Sequence, residues 1–72
     1  MTPHDAAALG FEIKPDGREA MVMLYHGTAF AFIERSARDR FTWRGVTVSG
    51  ELFKAGTVSV LIDLLASAAP PR

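Results

Sequence analysis

The segment from Ala20 to Ile33 is apolar on both faces that an extended chain presents, and this limits what the chain can fold into. Met21, Met23 and Tyr25 alternate with Ala20, Val22 and Leu24. After His26-Gly27 the alternation resumes, with Phe30 and Phe32 on one side and Ala29, Ala31 and Ile33 on the other. Side chains of a strand point to opposite faces with period two. A hairpin closed on His26-Gly27 is expected to set Met21 opposite Phe32, Met23 opposite Phe30 and Leu24 opposite Ala29. One face is then bulky and aromatic, and Met21, Met23, Tyr25, Phe30 and Phe32 on it read either as ordinary core, the preferred reading for Phe32, or as an exposed contact surface; the other face is small and aliphatic. Antiparallel sheets commonly leave one face to water. This hairpin calls for cover on both sides.

A chain of 72 residues makes one domain, 1–72, with little material for that cover. A domain of this size buries only about 60% of its unfolded surface. Chains this small lean on disulfides, a metal or a partner subunit. There is no cysteine, which removes disulfides and thiolate metal sites. His4 and His26 lie far apart and give no metal-ligand spacing. A partner remains, and a homodimer through a sheet face or edge is its simplest form.

Eight basic and eight acidic residues cancel, unlike a strongly basic nucleic-acid binder or a polybasic membrane binder. Met1-Thr2-Pro3-His4-Asp5 lacks the basic and apolar regions of a signal peptide. No apolar run approaches the roughly 20 residues that span a bilayer. With no cysteine, a reducing cytoplasmic location is expected and no membrane partner.

Thr2 as N-cap, Pro3 at the first helical position and Ala6 to Leu9 predict a short helix within 1–10, stopped at Gly10. A β-meander is expected over 11–53. Phe11 and Ile13 alternate with Glu12 and Lys14, and Pro15-Asp16-Gly17 reads as a turn. Arg18 to Tyr25 and Thr28 to Arg35 follow as strands. Ser36 to Arg40 is a polar connection before Phe41, Thr42 and Trp43. Arg44-Gly45 reads as a tight turn or a bulge, so that Val46 and Val48 share a face with Phe41 and Trp43 while Thr42 and Thr47 point away.

Residues 57–69 have two readings. As a helix, Thr57 caps Val58 to Ala68, Ser59, Asp63 and Ser67 form one polar stripe, and Pro70-Pro71 ends it ahead of the 70–72 tail. As a strand, Lys54-Ala55-Gly56 is a hairpin turn and 57–65 closes a mainly β small barrel. The helix is preferred because it covers one apolar face of the sheet, with Ala20, Ala29 and Ala31 allowing close approach. The expected fold is therefore α+β: an antiparallel meander of three to five strands, a short N-terminal helix and a C-terminal helix.

Four arginines and two aromatics lie between Arg35 and Arg44. Arg35, Arg38, Arg40, Trp43 and Arg44 are the candidate partner-binding residues, because arginine and tryptophan are enriched at interface hot spots. The same groups are compatible with single-stranded nucleic acid held by phosphate contacts and stacking, though neutral overall charge favours it less. No serine has a histidine and an acid at a recognisable spacing. No carboxylate pair is marked out, and the glycines form no phosphate loop. No catalytic, cofactor or metal residue is assigned, and an enzyme is not expected.

In size, neutral charge, lack of cysteine and the tight meander from Met21 to Ile33, the chain resembles the small accessory proteins of phages and other mobile elements, among them the anti-CRISPR inhibitors. That resemblance is one of general character. It implies a non-enzymatic protein that binds a host nucleic-acid-targeting complex. A small nucleic-acid binder using Arg35 to Arg44 and a structural homo-oligomer are the alternatives.

Overall fold

The computed structural model describes residues 3–69. Two helices, α1 (Pro3–Ala8) and α2 (Val58–Ser67), flank five strands: β1 (Phe11–Pro15), β2 (Ala20–Tyr25), β3 (Thr28–Arg35), β4 (Trp43–Thr47) and β5 (Leu52–Ala55). The strands form one open antiparallel sheet in the order β1-β2-β3-β4-β5. The fold is the expected α+β meander with a helix at each end. The expected Thr2 cap and Pro70-Pro71 stop lie outside the described residues.

Residues 58–67 are helix, not a closing strand. Thr57 is extended (φ −137°, ψ 155°), and its side chain accepts a hydrogen bond from the Val60 amide at 3.2 Å. Caps of this kind contribute about 0.5–2 kcal/mol. Leu61, Ile62 and Leu65 form the buried stripe, while Asp63 and Ser67 face outward. Lys54 and Ala55 belong to β5 and not to a turn. The chain between β4 and β5 reverses at 48–51, where Thr47 and Glu51 bond backbone to backbone at 2.9 Å.

The β2–β3 turn is the two-residue hairpin expected. His26 and Gly27 both have positive φ (51° and 84°), the geometry whose twist matches paired strands. Its register departs from the simple alternation. Leu24 does pair with Ala29, but Met23 then pairs with Ala31, Val22 with Phe32 and Met21 with Ile33. Phe30 is an extra residue, a β-bulge that sets two residues of β3 on the same side. Phe30 and Ala31 are consequently both buried, and Phe32 turns to the opposite face, where it is 50% exposed. The expectation of a buried Phe32 on one face with Met21, Met23 and Phe30 is thus corrected.

All of the core lies on one side of the sheet. Phe11, Met23, Phe30, Ala31 and Ile33 meet Ala6 of α1 and Leu61, Ile62 and Leu65 of α2. The Phe11 and Tyr25 rings stack at 4.5 Å, and Phe30 tilts against both at 6.1 and 6.2 Å. α1 rests on β1, α2 crosses β4 and β5, and the helices touch each other.

Strand β4 runs straight through Arg44-Gly45, with neither turn nor bulge. Trp43, Gly45 and Thr47 therefore face the helices, and Val46 faces away from Trp43, not with it. Phe41 is exposed outside the strands. Gly45 lets α2 come close: a Cβ there would lie 2.9 and 3.2 Å from the Leu65 methyls and 3.3 Å from Leu61. Glycine in a strand often marks such a close approach. Ala20 and Ala29 sit on the other face of the sheet, and only Ala31 lies under the helical layer. Thr47, expected to point outward, is buried. Its hydroxyl oxygen accepts from the Glu51 amide at 3.0 Å and shares a hydrogen bond with Ser49 at 2.9 Å.

Candidate functional site

Neither helix covers the second face of the sheet. The registers assemble it into cross-strand rows. Lys14 pairs with Val22, Val22 with Phe32, Phe32 with Val46 and Val46 with Leu52. Directly opposed side chains stand about 4.5–5.5 Å apart at Cβ, so Val22, Phe32, Val46 and Leu52 form an unbroken apolar row. Phe32, Val46 and Leu52 are 50%, 38% and 48% exposed.

The next row is charged and polarised. Ala20 pairs with Glu34, Glu34 with Arg44 and Arg44 with Lys54. Asp16 adjoins Ala20, to whose carbonyl its amide donates at 2.9 Å. An acid thus stands at the β1 end and two cations at the β4–β5 end. Over Ala20 lies a groove of about 200 Å³ lined by Asp16, Phe32, Glu34, Arg44 and Val46 among others. Beside it, Ser36, Ala37, Arg38, Arg44 and Lys54 line a second cleft of about 420 Å³. Among the described residues, Arg38, Arg44 and Lys54 have no carboxylate within ion-pair distance. The Arg44 Nε is shut off from solvent and has no acceptor.

The arginine cluster read from the sequence is divided between the two faces. Arg35 and Trp43 are paired on β3 and β4 and project to the helix side. The Arg35 guanidinium lies 4.5 Å over the Trp43 ring, a contact the ring quadrupole favours. Arg35 Nη1 donates to the Arg40 carbonyl. Arg35 Nε faces Glu19 Oε1 at 3.3 Å without the alignment of a hydrogen bond, and Arg40 Nη2 reaches the same oxygen at 3.5 Å. Glu19 is itself held at φ 55°, where the Arg35 amide donates to its carbonyl at 3.2 Å. Arg35, Arg40 and Trp43 therefore brace the chain around residues 36–42. Arg38 and Arg44 stand on the free face with Lys54. Sequence reasoning missed Lys54. Its signal is the Arg44–Lys54 pairing, visible only once 48–51 is read as a turn and 52–55 as a strand.

The loop that carries Arg38 is closed by its own hydrogen bonds. The Ser36 amide donates to the Thr42 carbonyl at 2.8 Å, and the Thr42 amide to the Asp39 carbonyl at 3.0 Å. The Asp39 carboxylate accepts from the Thr42 hydroxyl at 2.6 Å and from the Phe41 amide at 2.9 Å. Those two bonds, the Thr42 one foremost, hold its pKa below the ordinary 3.8. A depressed carboxyl pKa stabilises the fold above the ordinary value, and that contribution is lost as pH falls through the lowered one. In an NMR titration the Phe41 amide should move with a midpoint below 3.8. A midpoint at or above that value would show the loop to be open in solution.

Among the described residues, no group of three His, Cys, Asp or Glu side chains is placed to hold a metal ion. No helix there is long and apolar enough to cross a membrane. No protein-family model, curated protein or solved structure matches the chain.

Proposed function

We propose that this chain is a non-enzymatic protein-binding module that works through the free face of its sheet. The observation that carries this reading is the half-exposed Phe32 at the centre of a row of four apolar side chains that no helix covers. Exposed apolar rows rimmed by charge mark protein contact surfaces. Among protein-binding roles, the resemblance in size and character to phage accessory proteins favours an inhibitor of a host nucleic-acid-targeting complex acting in the cytoplasm. Nucleic acid is the less favoured ligand. Trp43 is turned to the helix side under Arg35, and Glu19 engages Arg35 and Arg40, so stacking and phosphate groups do not share one surface.

The test is Phe32→Asp. Circular dichroism should show the fold retained, because the site is half exposed. Association with protein, whether another copy or a host complex recovered by the parent chain, should fall by at least about tenfold, as expected when a central apolar anchor is lost. Undiminished association by a folded Phe32→Asp variant would remove the free face from the function.

A further inference from the structure

We infer that the occupant of the free face is a second copy of this chain, related by a two-fold axis running along β3. The inference rests on the free face being a protein contact surface, and it names what the contact is made with. β3 is the middle of five strands. A two-fold axis laid along it, between two sheets packed face to face, carries β1 over β5 and β2 over β4. Isologous contacts of this kind require a surface complementary to itself, and the rows meet that requirement.

In the apolar row, Lys14–Val22–Phe32–Val46–Leu52 reads nearly the same from either end. The rotation places Phe32 against its own symmetry mate and Val22 against the second copy's Val46. The Lys14 stem lies along the second copy's Leu52, as long cationic side chains do on apolar surface. In the charged row, Asp16–Ala20–Glu34–Arg44–Lys54, the acid end meets the cation end. Asp16 faces the second copy's Lys54, and small Ala20 faces the second copy's Arg44. The groove over Ala20 is about 200 Å³ and lined by Asp16 and Glu34 together with the same chain's Arg44, so two carboxylates stand against one guanidinium where the second copy's Arg44 enters. Among the described residues no carboxylate of its own chain lies within ion-pair distance of Arg44, which leaves its guanidinium to those of the second copy. Both Glu34 side chains lie near the axis, each beside an Arg44 from its own copy and one from the other.

The decisive pair is Asp16 and Lys54. Within one chain they stand at opposite edges of the sheet, four strand spacings or about 19 Å apart, too far for direct contact. Sedimentation velocity over a concentration series should show the parent dimerising. Lys54→Asp opposes two carboxylates at both ends of the interface and should raise the dimer dissociation constant at least about tenfold. Adding Asp16→Lys to Lys54→Asp reverses both charges and should return the constant to within about threefold of the parent. Such a rescue is a coupling between sites that cannot touch in one chain. Arg40→Glu, on the helix side, should leave the dimer unchanged.

A parent that stays monomeric at millimolar concentration overturns the inference. The face reading then survives if Phe32→Asp still abolishes capture of a host protein, and falls if it does not. A dimer indifferent to Lys54→Asp, or one that the double reversal fails to restore, also overturns the inference, because another surface or another register then makes the contact.

Discussion

Replacing Phe30 by alanine is expected to lower stability by about 3–5 kcal/mol, while the same change at Phe32 should cost less than about 1 kcal/mol. The two residues are neighbours on one face of an ideal strand, and sequence alone makes them equivalent. The bulge separates them. Phe30 is 8% exposed and tilts against Phe11 and Tyr25. Its removal takes a ring out of a three-ring cluster and leaves a void that the sheet, held by β2 and β4 on either side, cannot readily close. Phe32 leaves no void, because half of it already meets solvent. The total stability of natural domains is only about 5–15 kcal/mol, so Phe30→Ala should be partly or wholly unfolded at moderate temperature. Urea melts followed by circular dichroism check this. Equal losses at the two sites would place both rings in the core and remove the bulge.

Leu61→Ala is expected to cost about 2–5 kcal/mol, and Leu64→Ala under about 1 kcal/mol. Leu61 is fully buried in the layer between α2 and the sheet, whereas Leu64 is 38% exposed on the same helix. Leu61 also packs beside Gly45, where β4 and α2 come close. Truncating it loosens α2, the longer of the two described helices, from the strands it covers. A ten-residue helix is marginal by itself in water, so its loss of docking and its loss of helicity should coincide in one transition. Helix signal persisting beyond the loss of sheet signal would show that α2 is stable without the core.

The free face bears on function in the same way that the bulge bears on stability. Phe32, Val46 and Leu52 reach it because β3 shifts by one residue at Phe30 and β4 does not bend at Gly45. Had the simple alternation held, Phe32 would lie under the helices and the outer row would lose its centre. Arg38 and Arg44 were legible as candidates from composition. Their separation from Arg35, Arg40 and Trp43 was not, since alternation along β3 and β4 and the position of Glu19 together decide which face each one joins.

What the sequence by itself determined is local. The period-two pattern marked β1, β2 and β3. His26-Gly27 specified a two-residue turn through positive φ at both positions. Thr57 was legible as a cap, which the Val60 amide fills, although only the structure decided that 58–67 is helix and not a closing strand. Each of these depends on a few adjacent residues and on backbone geometry that neighbours in space do not alter. The tertiary structure alone decided the register past Phe30, the straight course of β4, the pairing of Arg44 with Lys54 and the orientation of the Arg35–Trp43 stack. The physical reason is that period two is lost when one extra residue enters a strand. Whether it enters depends on burial. Phe30 and Ala31 both lie in the core beside Phe11 and Tyr25, and only the bulge brings two consecutive residues to that side.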